Sequence, residues 1–322
     1  MKAVQLVESI GPTGLRVTEL PDLDPVGDLV VVDLHAAGVS FPDLLQTTGS
    51  YQMVQALPCV LGVEGAGIVR SAPRGSGLTE GQRVAVLALS GSWQQTVAVP
   101  VGYAFPLPDT VSLTAASGFV MNHLTVHFAL VERARTRKGE TVLVHGAAGG
   151  VGTAALHVAA ALGLETVAVV SSEEKAAVAK GNGATHTVLV DGFKDRVLEL
   201  TGGRGVDIVV DPVGGDRFTD SLRSLATGGR ALVLGFTGGS IPTVKVNRLL
   251  LRNISVVGVG WGEFIREDPG FLARQWDELS PLLTSGALTV PEPTLYALDN
   301  AAAALQSLSE RSATGKISLS LR

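Results

Sequence analysis

TVLVHGAAGGVGTAALHVAAALG, residues 141–163, decides how the rest of the 322-residue chain is read. The apolar run Val142-Leu143-Val144 predicts a buried strand. Gly146, Gly149 and Gly152 then recur every third residue. The small and apolar residues 153–162 predict a helix closed by Gly163. A G-x-x-G-x-x-G spacing between a strand and a helix is the context that gives the pattern meaning. Glycine allows the sharp bend and lets a pyrophosphate approach the backbone. The helix N-terminus adds unpaired N–H groups and the positive end of its dipole. The competing reading is a glycine-rich turn that binds nothing.

The composition suits a globular chain of about two domains: hydrophobic residues make up 46% and charged residues 17%. Formal net charge is -5, with no run of like charges, which argues against nucleic-acid or acidic-membrane partners. The lone cysteine, Cys59, excludes an intrachain disulfide and a cysteine-built zinc site, and reads as a core filler. No apolar run approaches the ~20 residues of a membrane span. The N-terminus lacks the apolar centre of a signal peptide, so a reducing, cytoplasmic setting is expected.

Outward from the opening stretch, strands and helices alternate on the C-terminal side. Strands are expected at 166–170, 185–190, 206–211, 230–234 and 254–258, and helices at 173–181, 193–201 and 217–225. That alternation means βαβ units, a parallel sheet and a doubly wound α/β fold. Residues 1–120 instead show short β-branched runs punctuated by Gly, Pro and Asp, as in a small barrel or sandwich. A helix is expected over 122–134. Beyond Gly262 come helices at 271–283 and 299–310 and a closing strand at 316–321, which must return to the first domain for a partner.

The second strand of a dinucleotide fold ends beside the adenosine ribose, where an acidic residue ~20 residues past the glycines selects NAD. Here the strand runs into Val170-Ser171-Ser172 with no carboxylate at its end. Glu173 and Glu174 start the following helix, where its dipole favours acids. The hydroxyls of Ser171 and Ser172 and the charge of Lys175 suit a 2′-phosphate, so NADPH is the expected cofactor. The serines are equally suited to capping the helix, and the two roles are compatible.

Several stretches together resemble one family: AAGVSFPDLLQTTGSY (36–51), LGVEGAGIV (61–69), NHLTVHFAL (122–130), HGAAGGVGTAALHVAAALG (145–163), SSEEK (171–175), GGRGVDIVVDPVGGD (202–216) and RSATGKISLSL (311–321). The chain resembles the zinc-free quinone oxidoreductase branch of the medium-chain dehydrogenase/reductase superfamily, which includes zeta-crystallin. The resemblance implies a GroES-like catalytic domain (1–121 and 263–322) interrupted by a Rossmann domain (122–262), NADPH in the cleft between them, and a homodimer. Gly149, Gly150, Val151 and Gly152, in the glycine turn and the start of its helix, are the expected pyrophosphate site, and the resemblance places Thr125 at the nicotinamide carboxamide. Phe236, Gly258 and Val259 line the nicotinamide half, and Lys316 approaches the cofactor.

The departures from the family bear on chemistry. Zinc-dependent relatives have a cysteine where Ser40 stands and Gly-His-Glu where this chain has Gly62-Val63-Glu64. His123 and His127 lie one helical turn apart but lack a third ligand, so no metal is expected. The branch often has an asparagine at Ser40 and tyrosines at Leu45 and Tyr51, of which only Tyr51 matches. Its phenol can donate to a substrate carbonyl or simply pack the barrel edge. His123 replaces another family tyrosine and can act as a second proton donor or serve the structure. The expected catalytic set is Tyr51, Ser40 and His123. A proline and apolar residues over 52–58 suggest a loop above an apolar, electrophilic substrate.

The reaction implied is hydride transfer from NADPH to a quinone or an α,β-unsaturated carbonyl. The alternatives are an enoyl-thioester reductase, a non-catalytic NADPH-binding protein of the crystallin kind, and a zinc alcohol dehydrogenase with a rebuilt site.

Overall fold

The computed structural model describes residues 1–24, 27–52 and 55–322. The chain divides into one unit of Met1–Asn122 with Gly270–Arg322, and a second of His123–Pro269.

The first unit is built on Leu29–Val39. This 11-residue strand is long enough to pair antiparallel with Glu64–Ser71, Thr96–Pro100 and Ile317–Ser320. The closing strand therefore finds its partner in the N-terminal part of the chain, as its isolation beyond a finished sheet predicts. Arg83–Leu87, Ala104–Pro106 and Thr294–Ala297 complete seven strands. Lys2–Leu6 pairs separately with Leu15–Glu19 and Cys59–Val60. Val30, Val32, Leu34, Leu61, Val84, Val86, Trp93 and Leu319 bury their side chains in one core. Glycine lets the strands close up at Gly67, where a Cβ would overlap the Asp33 carbonyl.

The second unit carries six parallel strands in the order His186–Leu189, Glu165–Val170, Thr141–His145, Val206–Asp211, Leu225–Val233, Ser255–Gly258. This is the 3-2-1-4-5-6 order of the dinucleotide fold. Thr141–His145 is buried along its whole length, as a strand covered on both faces must be. The order reverses between Thr141–His145 and Val206–Asp211, and the crevice at that switch point is where such sheets bind ligands.

Three helices escape the sequence reading: Phe41–Thr47, Asn247–Arg252 and Trp261–Glu267. The first had a visible signal in Ser40-Phe-Pro-Asp43, a capping pattern with proline inside the first turn. The helix expected at 122–134 is present but wound into wide turns over Val120–Leu124 and Phe128–Arg133, around a single α turn, Thr125–His127. The Ala134 N–H accordingly reaches back five residues to the Ala129 carbonyl, at 2.9 Å. Such π turns concentrate at functional sites because they re-aim side chains.

Candidate active site

In the first unit, Ser40 ends the central strand and caps Phe41–Thr47. Its N–H donates to Asp43 Oδ2 at 2.8 Å, and Asp43 Oδ1 accepts the Gly62 N–H at 3.2 Å. Asp43 is completely buried, and desolvation raises its carboxyl to about 7 despite these bonds and the Lys316 charge. Glu64 is also fully buried. Its Oε2 accepts the Met121 N–H at 2.8 Å, and its Oε1 lies 2.6 Å from Lys316 Nζ. Lys316 also donates to Ser40 Oγ at 2.8 Å and to the Val39 carbonyl at 3.0 Å. An ammonium has three protons, and these three oxygens account for them. Glycines make room for the pair. A Cβ at Gly38 would lie 2.6 Å from Glu64 Cγ, and one at Gly118 would overlap the Lys316 stem. Sequence reasoning named Ser40 and Lys316 but missed Asp43 and Glu64. Their signal was a carboxylate in a run otherwise apolar or glycine.

Tyr51 is half-buried, and its phenol is raised above its ordinary value by burial and by the Asp43 charge. It therefore holds its proton at neutral pH, as a hydrogen-bond donor must. Of the loop expected over 52–58, Met53 and Val54 lie outside the described residues. Cys59 is half-buried, and burial raises its thiol, which keeps it from being a thiolate nucleophile.

Of the residues expected at the cofactor, Lys316 lies in the first unit and Thr125 on a helix of the second, while the others follow or end strands of the second unit's sheet. Gly146 has φ 59° and opens the turn after Thr141–His145, and the Gly149 N–H returns to the Gly146 carbonyl at 2.9 Å. The helix Gly150–Ala161 follows at once, so Gly149, Gly150, Val151 and Gly152 form its first turn. A Cβ at Gly152 would overlap the Gly146 carbonyl oxygen and lie 2.5 Å from Ala147 Cα, so only glycine lets helix and turn close. This is the cradle that a pyrophosphate needs.

Glu165–Val170 ends without a carboxylate. Ser172 caps Glu173–Gly181, accepting the Lys175 N–H at 3.3 Å, while Ser171 is exposed just before it. Phe236 follows Leu225–Val233 and is partly exposed. Gly258 ends the last strand, and its carbonyl accepts from Arg133 at 2.9 Å. The buried Val259 donates its N–H to the Val233 carbonyl at 3.0 Å. Thr125 lies in the α turn between the two wide ones, and His123 and His127 flank it, both buried. Burial lowers His127 to about 4, which makes it a neutral ring at physiological pH.

The zinc of the wider superfamily does not fit this donor set. Ser40 stands at a cysteine position with a lysine ammonium bonded to its oxygen. Val63 offers no donor where a histidine would stand. A catalytic zinc needs three protein ligands, and a fixed cation on Ser40 opposes a second one. Among the described residues, no three His, Cys, Asp or Glu side chains are grouped to hold a metal.

Comparison with known proteins gives the class. Residues 27–109 match the alcohol dehydrogenase GroES-like domain, and residues 150–284 match the zinc-binding dehydrogenase family. Quinone oxidoreductase-like protein 2 of Bos taurus is 35% identical over 297 residues, covering 91% of this chain and 85% of that protein. A probable oxidoreductase from Mycobacterium abscessus superposes with TM-score 0.90 at 40% identity, over 99% of this chain and 98% of that one. The quinone oxidoreductase of Thermus thermophilus, solved alone and with NADPH, superposes with TM-score 0.85 at 34% identity over the full length of both. The chain belongs to the quinone oxidoreductase branch of the medium-chain dehydrogenase/reductase superfamily.

Proposed function

We propose that the protein is an NADPH-dependent reductase that delivers hydride to a quinone or an α,β-unsaturated carbonyl compound without zinc. The observation that carries this reading is the Lys316 ammonium bonded to Ser40 and Glu64, where the zinc-dependent relatives place metal ligands. Reducing a simple ketone calls for a Lewis acid on its oxygen. A conjugated acceptor needs less, because hydride addition gives a delocalised enolate that hydrogen bonds can stabilise.

NADPH, when bound, supplies the hydride. The residues suited to hold it are the first helical turn Gly149–Gly152 for the pyrophosphate and Ser171, Ser172 and Lys175 for the 2′-phosphate. Thr125, Phe236, Gly258 and Val259 are suited to the nicotinamide half. With its three protons committed to Glu64, Ser40 and Val39, Lys316 acts on Ser40 and reaches the cofactor only by giving up one of those bonds. Tyr51, protonated at neutral pH, is the first donor for the substrate oxygen, and Ser40, whose hydroxyl donates to Glu64 Oε1 at 3.3 Å, joins it only by giving up that bond. His123 is the candidate source of a second proton.

The homodimer implied by the family is supported by an unpartnered edge. Among the described residues, Ser255–Gly258 has a neighbour on one side only. Val246 and Leu250 are each 75% exposed and Leu251 76%, all just before it. An apolar patch of this kind rarely faces water in a monomer.

The test is NADPH consumption against 1,4-benzoquinone, a cyclic enone and crotonyl-CoA. Turnover with at least one, and a preference for NADPH over NADH, is expected. Tight NADPH binding with no turnover on any of the three overturns the reductase reading and favours a binding protein.

A further inference from the structure

The strand Val206–Asp211 ends on a buried carboxylate that the proposed chemistry does not use. Asp211 Oδ1 accepts two backbone N–H groups of the turn that follows, from Val213 at 2.8 Å and from Gly214 at 2.9 Å. Aspartate folds its own chain this way because its short side chain reaches the N–H two residues on. Asp211 Oδ2 is buried without a partner, so the bonds of Oδ1 are the ones the carboxylate makes among the described residues. His145 ends the neighbouring parallel strand, one step past the Val144–Val210 pair, and its Nδ1 is likewise buried and unpartnered. Burial lowers His145 to about 4, so it offers Asp211 no counter-charge at neutral pH. A buried acceptor left bare costs stability, which marks Asp211 as a residue whose other oxygen matters.

The turn held by that oxygen touches both halves of the expected cofactor site. On one side, a Cβ on Gly146 would lie 3.3 Å from Val213 Cγ2, so the Val213 side chain packs against the glycine turn. On the other, a Cβ on Gly214 would lie 2.9 Å from Phe236 Cδ1, so the Phe236 ring rests on a position that only glycine leaves open. Backbone bonds then tie the turn to the segment that carries Phe236. The Pro212 carbonyl accepts the Thr237 N–H at 3.1 Å, the Val213 carbonyl accepts the Gly238 N–H at 2.8 Å, and the Gly215 N–H donates to the Ser240 carbonyl at 3.1 Å. A change in the 212–215 turn therefore moves Phe236 and releases Val213 from the glycine turn together.

We infer that Asp211 is a positioning residue: its Oδ1 fixes the 212–215 turn, and through that turn the placement of Phe236 relative to the pyrophosphate cradle. The inference rests on the NADPH reading only for its consequence in cofactor binding. Asp211 acts through the backbone and touches no cofactor atom itself. What the turn requires is an acceptor atom at Oδ1, which the amide oxygen of an asparagine also supplies.

Hydrogen–deuterium exchange of the cofactor-free, full-length protein, read by mass spectrometry, tests the geometry first. Peptides over 212–215 and 236–240 should be protected in the parent protein. Asp211→Ala should speed exchange in both by about tenfold or more, the loss of buried hydrogen bonds. Asp211→Asn should keep the parent protection. Val197→Ala, which removes volume from the core of the same unit, should lose stability and leave both peptides protected. NADPH titrations followed by nicotinamide fluorescence should then show binding weakened about tenfold or more in Asp211→Ala, and unchanged in Asp211→Asn and Val197→Ala. Residues 236–240 exchanging at the parent rate in Asp211→Ala overturn the inference, and so does Asp211→Asn exchanging as fast as Asp211→Ala. Where Asp211→Ala does not fold, the parent and Asp211→Asn decide: unprotected 212–215 in either overturns it, and protection in both upholds it. If the parent binds no NADPH, the cofactor reading fails while the exchange data still decide what Asp211 holds.

Discussion

At the residue scale the decisive group is the Lys316 ammonium, buried with Glu64 and Ser40. Breaking a buried pair by removing one partner strands the other charge, at a cost of roughly 3–5 kcal/mol. Lys316→Met should lose stability on that order in urea unfolding, and adding Glu64→Gln should restore part of it. An unchanged midpoint for Lys316→Met would show that Glu64 is not held by this contact. Tyr51 is decided the same way, by one atom. If its phenol donates to substrate, Tyr51→Phe should lower kcat about tenfold or more with NADPH affinity unchanged. If the ring only packs the barrel edge, kcat will stay at the parent value.

At the element scale the glycine turn and its helix stand or fall together. Gly152 is required because the helix N-terminus sits on the backbone of its own turn. A methyl there must push backbone apart, which costs about 1–3 kcal/mol as overpacking does. Gly152→Ala should show that loss in thermal unfolding and at least a tenfold weaker NADPH dissociation constant by nicotinamide fluorescence. Normal affinity in a destabilised variant would mean that the pyrophosphate binds elsewhere. The widened helix around Thr125 was legible only as a helix. Its apolar spacing fits either winding, and the wide turns depend on what packs against each side chain.

At the scale of the whole molecule, pH dependence sums over buried groups. His127 and His145 are each pushed down to about 4, chiefly by burial, from 6.5. Between those values the unfolded chain binds protons that the native chain refuses. Each therefore removes stability as pH falls, on the order of 1.4 kcal/mol per unit. Asp43 acts oppositely: its native value of about 7 against 3.8 means that its contribution is present at low pH and lost as pH rises through that interval. His157 is lowered in the same direction by burial, and three groups against one leave stability falling from pH 6.5 to 4. Asp43→Asn should steepen that fall in melting temperature, and an equal slope in both proteins would refute the assignment. Assembly is tested separately: Leu250→Glu with Leu251→Glu should halve the mass seen by light scattering if the exposed edge joins two copies.

The sequence by itself determined the doubly wound sheet, the dinucleotide turn, the missing carboxylate after the second strand and the return of the last strand to the first unit. Each is local chemistry: hydrophobic period, glycine spacing, and the residue type at a strand end. What pairs with what across the chain was decided by tertiary structure alone. Lys316 meets Glu64 and Ser40 only because Ile317–Ser320 pairs with Leu29–Val39. His123 and Asn182 share a neighbour only because His157, on the helix after the glycine turn, meets both. Burial, which sets the protonation of Asp43, Tyr51 and His127, is a property of those packed contacts and of no short stretch of sequence.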